Sequence, residues 1–364
     1  MKTLKVNLDK KISSSHDIRI GRGILDRMTL LVARNLKASR YVVLTDSNVH
    51  PLHGRAVLAA FADAGMNVSV IEIPAGESSK NISTVMDIAG KLLEMGADRG
   101  TVLVALGGGV VGDLTGFIAS VYMRSVPYIQ VPTTLVGQVD SAIGGKTAVD
   151  LPQGKNLLGT FCQPKAVFVD LNYLATLPER EFQNGLAEII KYGMIEDEKM
   201  FRVLEEHMDA IKDRDGAQLM KIIENCCRIK KAIVEIDERE QGLRRILNFG
   251  HTLGHALESV SGYVLSHGEG VALGMIAAAG ISVRMKYLKE SEAARVEKVI
   301  ARAGLPTRIG SQYAPEKIMA RLKTDKKKKD GVIHFVLVKK IGMPFVSGGV
   351  NDQTILDVLE GMKA

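Results

Sequence analysis

The feature that most restricts the fold is a rhythm in the first half of the chain, where short β-branched runs alternate with stretches of helical spacing. Tyr41-Val-Val-Leu-Thr-Asp46, Asn67-Val-Ser-Val-Ile-Glu-Ile73, Thr101-Val-Leu-Val-Ala-Leu106, Tyr128-Ile-Gln-Val-Pro132 and Ala166-Val-Phe-Val-Asp170 read as strands. Gly54 to Gly65, Lys80 to Met95 and Val110 to Tyr122 read as the helices between them. Near-continuous apolar strands are buried on both faces, and parallel neighbours need long crossovers. The pattern therefore predicts an α/β protein with a mostly parallel sheet and helices on both sides. After Leu177-Pro178 helical periodicity takes over, from Glu179 to about Ala303, and proline is tolerated where a helix begins. The expected organisation is a parallel-sheet domain over residues 1–177 and a mainly helical one over 178–364. A late strand, Val332 to Val338, is expected to join a hairpin within the helical half.

Composition narrows the class. With 364 residues, 46% of them hydrophobic, the chain has material for about two domains with substantial cores. Tryptophan is absent and aromatics reach only 5%, which argues against a stacking surface for single-stranded nucleic acid. No basic helix with interleaved aromatics suggests DNA binding either. The net charge of +7 suits an anionic small molecule. Three cysteines, Cys162, Cys226 and Cys227, do not make a disulfide framework, so a reducing, cytoplasmic setting is expected. The start, Met1 to Lys10, lacks the apolar core of a signal peptide, and the apolar run Val271 to Val283 is too short to span a bilayer.

Leu106-Gly-Gly-Gly-Val-Val-Gly-Asp113 follows a strand and opens a helix. Glycines let a backbone approach a pyrophosphate, and free N–H groups at a helix start favour anions. Other strands end in polar turns of the same kind: Thr45-Asp46-Ser-Asn48, Gly76-Glu77 with Lys80, and Pro132-Thr133-Thr134. In a parallel sheet these carboxyl ends share one edge, which favours a dinucleotide crevice, with Asp46 or Glu77 able to accept from ribose hydroxyls.

The second half holds a denser polar set. In Asn248-Phe-Gly-His251-Thr-Leu-Gly-His255-Ala-Leu-Glu258 two histidines lie four apart on one helix face, and His267-Gly-Glu269 follows after a short Ser-Gly turn and begins another helix. Upstream, Glu188 and Lys191 share a helix face. One carboxylate with two imidazoles is a common catalytic zinc set that leaves a position open for substrate. Spacing alone does not choose among His251, His255 and His267. Lysines and arginines accompany the cluster: Lys146 after two glycines, Lys155-Asn156 after another, Lys191, Lys230 and Arg244-Arg245. The run Lys326 to Lys329 looks like a solvated loop on composition alone.

Together these strings resemble the 3-dehydroquinate synthase family, in their order along the chain from about Ile18 to Val350. The strings are Gly107 to Asp113, Val131 to Leu135, Asp140 to Lys146, Gly154 to Gly159, Leu186 to Lys191, Leu247 to Ala256 and His267 to Glu269. The resemblance implies a Rossmann-like NAD domain and a helical metal domain with the active site between them. It implies Glu188, His251 and His267 as ligands of a divalent metal, zinc or cobalt, and His255 as a substrate-side histidine. It also places Asp140, Lys146, Asn156, Lys191, Lys230, Arg244, Asn248 and a lysine of the 326 run, with Lys326 the choice, at the substrate. For NAD it implies Asp46, Asn48, Glu77, Lys80, Gly108, Gly109, Val110, Asp113, Thr133, Thr134, Lys155 and Thr176. The implied reaction converts 3-deoxy-D-arabino-heptulosonate 7-phosphate to 3-dehydroquinate and phosphate. It runs by transient oxidation with NAD, phosphate elimination, return of the hydride, ring opening and aldol closure. A homodimer is also implied. The rivals are a sister sugar-phosphate cyclase, such as 2-deoxy-scyllo-inosose synthase, and a metal-dependent polyol dehydrogenase, which would release NADH.

Overall fold

The computed structural model describes residues 15–326 and 332–364, with the side chains of Asp325 and Lys326 left out. The first part of the chain runs β1 (Asp17–Gly21), α1 (Leu25–Asn35), β2 (Arg40–Asp46), α2 (Arg55–Asp63), β3 (Val68–Ile73), α3 (Ile82–Glu94), β4 (Thr101–Gly107), α4 (Gly109–Val121) and β5 (Tyr128–Pro132). It continues with the strands β6 (Lys146–Leu151), β7 (Gly154–Phe161) and β8 (Ala166–Asp170). Six of these strands form one sheet in the order β1-β8-β5-β4-β2-β3, and every pair in it is parallel.

Alternation along each strand explains the layers. Val42, Leu44, Leu103 and Ala105 face one side, where α3 and α4 cover them. Tyr41, Val43, Val102, Val104 and Leu106 face the other, against α1 and α2. All seven residues of β4 are buried, as a central strand covered on both faces requires. The expected strands and helices of this half are present within a few residues of their anticipated ends.

The structure adds three strands to that reading. β1 is a five-residue edge strand, half-exposed and polar at alternate positions. β6 and β7 form an antiparallel hairpin lying on α4.

The rest is mainly helical: α5 (Glu179–Ile195), α6 (Glu198–Lys212), α7 (Gly216–Ile236), α8 (His251–Val260), α9 (His267–Arg284), α10 (Glu290–Arg302), α11 (Pro315–Lys326) and α12 (Asp352–Gly361). One hairpin, β9 (Phe335–Lys340) with β10 (Met343–Ser347), sits against α9. The late strand thus begins at Phe335 rather than Val332, where Phe335 to Val338 are buried and Val332 to His334 are not. No described helix is long and apolar enough to cross a membrane.

The core beneath these helices does not stop at the sheet. Leu135, Val139 and Ile143 from the segment after β5, and Val167 and Val169 from β8, belong to the same apolar cluster as α5, α7 and α9. Gln138 fastens this contact: its Nε2 donates to the carbonyls of Pro132 (3.2 Å) and Asp170 (2.8 Å), while its backbone carbonyl accepts from Cys227 Sγ (3.3 Å) on α7.

Candidate active site

Strand order locates the crevice. The chain leaves β2 toward β3 on one side and leaves β4 toward β5 on the other, so the carboxyl ends of β2 and β4 flank a topological switch point. Most residues expected at NAD follow the carboxyl ends of these strands: Asp46 and Asn48 after β2, Glu77 and Lys80 after β3, Gly108 to Val110 after β4, Thr133 and Thr134 after β5, and Thr176 in the turn after β8, whereas Lys155 lies on β7 of the separate hairpin. At the end of β4, Gly108 precedes α4, and Gly109 and Val110 form its first turn, which no side chain caps. A Cβ at Gly108 would meet Thr134 Cγ2 at 2.9 Å, so glycine keeps this approach open.

Asp46 Oδ1 accepts from the backbone N–H of Asn48 (2.9 Å) and Val49 (3.0 Å), shaping the turn beside the crevice. Thr133 is buried, and Thr134 Oγ1 accepts from Gly137 N–H at 3.0 Å. Lys80 Nζ reaches Asp113 at 2.5 Å and donates to Asn156 Oδ1 at 2.6 Å. Asn156, expected with the substrate groups, is therefore held among the NAD candidates. Lys155 lies 3.5 Å from Glu77 and over the ring of Tyr263. Thr176 Oγ1 pairs with His53 Nε2 at 2.8 Å.

Across from this edge, α5 brings Glu188 and Lys191, α8 brings His251, and α9 begins with His267. Their ligand atoms converge: Glu188 Oε1 is 3.4 Å from His251 Nε2 and 2.8 Å from His267 Nε2. Tetrahedral zinc with bonds of about 2.0–2.1 Å spaces its ligands by roughly 3.3 Å, so the spread suits one divalent ion. The outer nitrogens are already engaged. His251 Nδ1 faces the Phe249 carbonyl at 3.1 Å, and His267 Nδ1 faces Glu258 Oε1 at 3.2 Å. An Nδ1–H donated to each acceptor leaves both Nε2 lone pairs directed at the same point, as metal-bound imidazoles require.

His255, Glu258 and His267 also come close enough to share an ion. That set would take Glu258 from His267 Nδ1 and use an exposed His255, so the buried Glu188 set is the better fit. Two tight glycine contacts bring α8 and α9 together: a Cβ at Gly274 would lie 1.8 Å from the Gly250 carbonyl, and one at Gly254 2.9 Å from that of Gly270.

Between the two groups lies a chain of buried charge. Asp140 takes Lys191 Nζ at 3.0 Å and is also paired with Lys230, whose Nζ donates to the Asp140 carbonyl at 2.7 Å. Lys191 is 2.5 Å from Glu188 and 1% exposed. Burial, with the neighbouring Arg244 guanidinium adding to it, pushes the Lys230 ammonium well below its ordinary range. Arg244, also buried, donates from Nη1 and Nη2 to the Gly144 carbonyl at 3.2 Å. Gly144 has φ +99°, and a Cβ there would strike Arg244 Nη2 at 2.4 Å.

Lys146 and Asn248 meet at Glu240, which the sequence reading did not single out: Asn248 Nδ2 donates to Oε1 at 2.5 Å and Lys146 Nζ to Oε2. Burial works against the Glu240 charge, but these two partners hold its carboxyl below the usual range. Glu258 was also missed as a partner of His267. Lys326 ends α11, and its side chain, like Lys327 to Lys329, lies outside the described residues.

Known proteins resemble this chain over both halves. Residues 70–184 match the N-terminal region of 3-dehydroquinate synthase and residues 185–328 its C-terminal region. A protein of Acidithiobacillus ferrooxidans named 3-dehydroquinate synthase is 45% identical over 361 residues, 99% of this chain and 98% of that one. Among solved structures, 2-epi-5-epi-valiolone synthase from Streptomyces hygroscopicus subsp. jinggangensis, with NAD+ and Zn2+ bound, has a TM-score of 0.90 at 29% identity, covering 99% of both chains. A 2-deoxy-scyllo-inosose synthase complexed with carbaglucose-6-phosphate, NAD+ and Co2+ has a TM-score of 0.86 at 28% identity, covering 95% of this chain and 96% of that one. With both halves matched and a relative this similar over its full length, the chain belongs to the 3-dehydroquinate synthase family.

Proposed function

We propose that this chain converts 3-deoxy-D-arabino-heptulosonate 7-phosphate to 3-dehydroquinate and phosphate, the reaction for which its family is named. The observation that carries the reading is the convergence of Glu188, His251 and His267 beside buried lysines, facing the carboxyl edge of a parallel sheet. Identity favours it over the sister cyclases: 45% to a 3-dehydroquinate synthase against 28% and 29% to the inosose and valiolone synthases. The solved relatives bind NAD+ with zinc or cobalt, and the donor set here suits either ion.

Glu188, His251 and His267 would hold the ion. When bound, the ion supplies Lewis-acid polarisation of the substrate's alcohol oxygen, and NAD in the β2–β4 crevice supplies a reversible hydride acceptor. The chain's own groups bind and orient. Lys146, Arg244 and Asn248 offer donors to the phosphate and carboxylate. Lys230, its charge disfavoured by burial, can exchange a proton with Asp140 or with a substrate hydroxyl. His255, exposed to the cleft beside the metal set, is placed to take or give a proton at the substrate. The sequence division at 177/178 has a functional meaning in this reading, with NAD held mainly before it and the metal after it. A cytoplasmic setting is part of the same proposal, supported by three free cysteines, two of them buried; the homodimer rests on the family resemblance alone.

The test is phosphate release from the heptulosonate phosphate with catalytic NAD, with and without a chelator. Turnover should need both cofactors and show no net NADH. Stoichiometric NADH accumulation would instead indicate a dehydrogenase.

A further inference from the structure

Lys155 is expected at NAD, and the structure gives it a partner from the other half of the chain. It lies on β7, in the hairpin packed on α4. Its Nζ sits 4.5 Å from the centre of the Tyr263 ring, which belongs to the turn between α8 and α9. Glu77 Oε1 lies 3.5 Å from the same ammonium. The lysine thus stands between a carboxylate of the nucleotide edge and an aromatic face of the metal half.

The turn that presents this ring is held in a costly conformation. Tyr263 adopts φ +63°, directly after Gly262 at φ +63°. Left-handed backbone suits glycine or asparagine, and a bulky aromatic residue is an outlier there. Hydrogen bonds fix the turn. Tyr263 N–H donates to the Glu258 carbonyl at 2.8 Å, Gly262 N–H to that of Ser259 at 3.1 Å, and Arg180 Nη2 to that of Val264 at 2.8 Å. Burial does not account for the aromatic side chain, because Tyr263 is 50% exposed. Strain kept at such a position points to function. The turn is also joined to the metal set, since the Glu258 that anchors it faces His267 Nδ1 at 3.2 Å.

We propose that Tyr263 is a positioning residue for NAD that acts through Lys155: its ring holds the ammonium in place before the dinucleotide arrives. The proposal rests on the functional reading above for the place of Lys155 at NAD. An aromatic face attracts a cation through its quadrupole and leaves the positive charge in place. A carboxylate partner alone, such as Glu77, would compete with an anionic cofactor for that charge; the ring does not. A free lysine side chain also loses much rotamer entropy when it is ordered on binding, and the ring removes part of that loss in advance. The metal half thereby contributes to NAD affinity through a side chain that need not touch the cofactor.

The experiment is calorimetric titration of NAD into the zinc-saturated protein, which needs no turnover. Tyr263→Asn removes the ring and suits the left-handed backbone. It should bind NAD about two- to fivefold more weakly than wild type, the scale of an exposed cation–π contact. Its thermal unfolding midpoint should be unchanged or higher, and its zinc content by elemental analysis unchanged. Tyr263→Phe keeps the aromatic face and should restore wild-type affinity. In a Lys155→Met background, Tyr263→Asn should have no further effect on NAD binding. Unchanged NAD affinity in Tyr263→Asn overturns the proposal, as does an equal loss in Tyr263→Phe or an undiminished loss in the Lys155→Met background. A lower unfolding midpoint together with lost zinc would make Tyr263 a structural residue and overturn it as well. Folded wild-type protein that takes up no NAD would sink the functional reading and the proposal with it; NAD binding indifferent to residue 263 would sink the proposal alone.

Discussion

His267 shows how the site's charges depend on one another. Burial disfavours its cation, but its hydrogen bonds to Glu188 and Glu258 and their negative charge outweigh that cost and raise its pKa from 6.5 to about 9. Without metal, His267 is therefore protonated at neutral pH and shares its two protons between the two carboxylates. A histidine whose folded pKa lies above its unfolded value stabilises the protein fully below the unfolded pKa, and loses that contribution as pH rises through the folded one. The metal-free protein should thus become less stable between about pH 6.5 and 9 as far as this group is concerned. Metal binding has the opposite sign, because the ion must expel the proton from Nε2. Its affinity should climb through the same window, with proton release visible as a dependence of the binding enthalpy on buffer ionisation. Zinc or cobalt affinity that stays flat from pH 6.5 to 9 would show that the trio does not bind the ion as assigned.

At the scale of elements, the metal set depends on how closely α8 and α9 cross. Gly274 lies against the Gly250 carbonyl and Gly254 against that of Gly270, with no room for a methyl group at either contact. Gly274→Ala would push the helix starts carrying His251 and His267 apart. The expected result is a loss of about 1–3 kcal/mol in stability from overpacking. Metal content by elemental analysis should also fall, while the helical circular dichroism signal persists. Full metal retention would mean that the helices adjust elsewhere. The sequence pattern had placed both histidines at helix positions, and it had found the buried strands β2, β3, β4, β5 and β8, because apolar β-branched runs leave a strong local signature. β1 and the β6–β7 hairpin left none: one is a short, half-exposed edge, and β7 is mostly exposed and carries Gly, Asn and Thr among its apolar residues. Glu240 was hidden for a different reason. In Asp237-Glu-Arg-Glu-Gln it looks like one charge among several in a solvated turn, and its partner Lys146 is 94 residues away in sequence. Spacing reports neighbours along one helix or strand; a cleft assembled from distant turns has no such period. In the sequence, only family resemblance chose among the three histidines; the proposed set of His251 and His267 is supported by their Nε2 atoms lying 3.4 and 2.8 Å from Glu188 Oε1.

At the scale of the molecule, the division at 177/178 and the packing point to different units. The helical half does not bury its core alone. Val167 and Val169 of β8, with Leu135, Val139 and Ile143, share one apolar cluster with α5, α7 and α9, and Gln138 hydrogen-bonds across the junction. The Asp140 pairs with Lys191 and Lys230 lie in the same junction, where Lys191 is 1% exposed. Separating the halves would expose that apolar surface and leave these charges without their partners, a loss of several kcal/mol for a buried pair alone. The two halves should therefore unfold together. Differential scanning calorimetry of the metal- and NAD-free protein is expected to give one transition with a calorimetric enthalpy close to the van't Hoff value. Excess NAD or excess zinc should each move that whole transition upward, because a ligand of either half then stabilises both. Two resolved transitions, with NAD shifting only one and zinc only the other, would show instead that the junction is weak enough for the halves to fold separately.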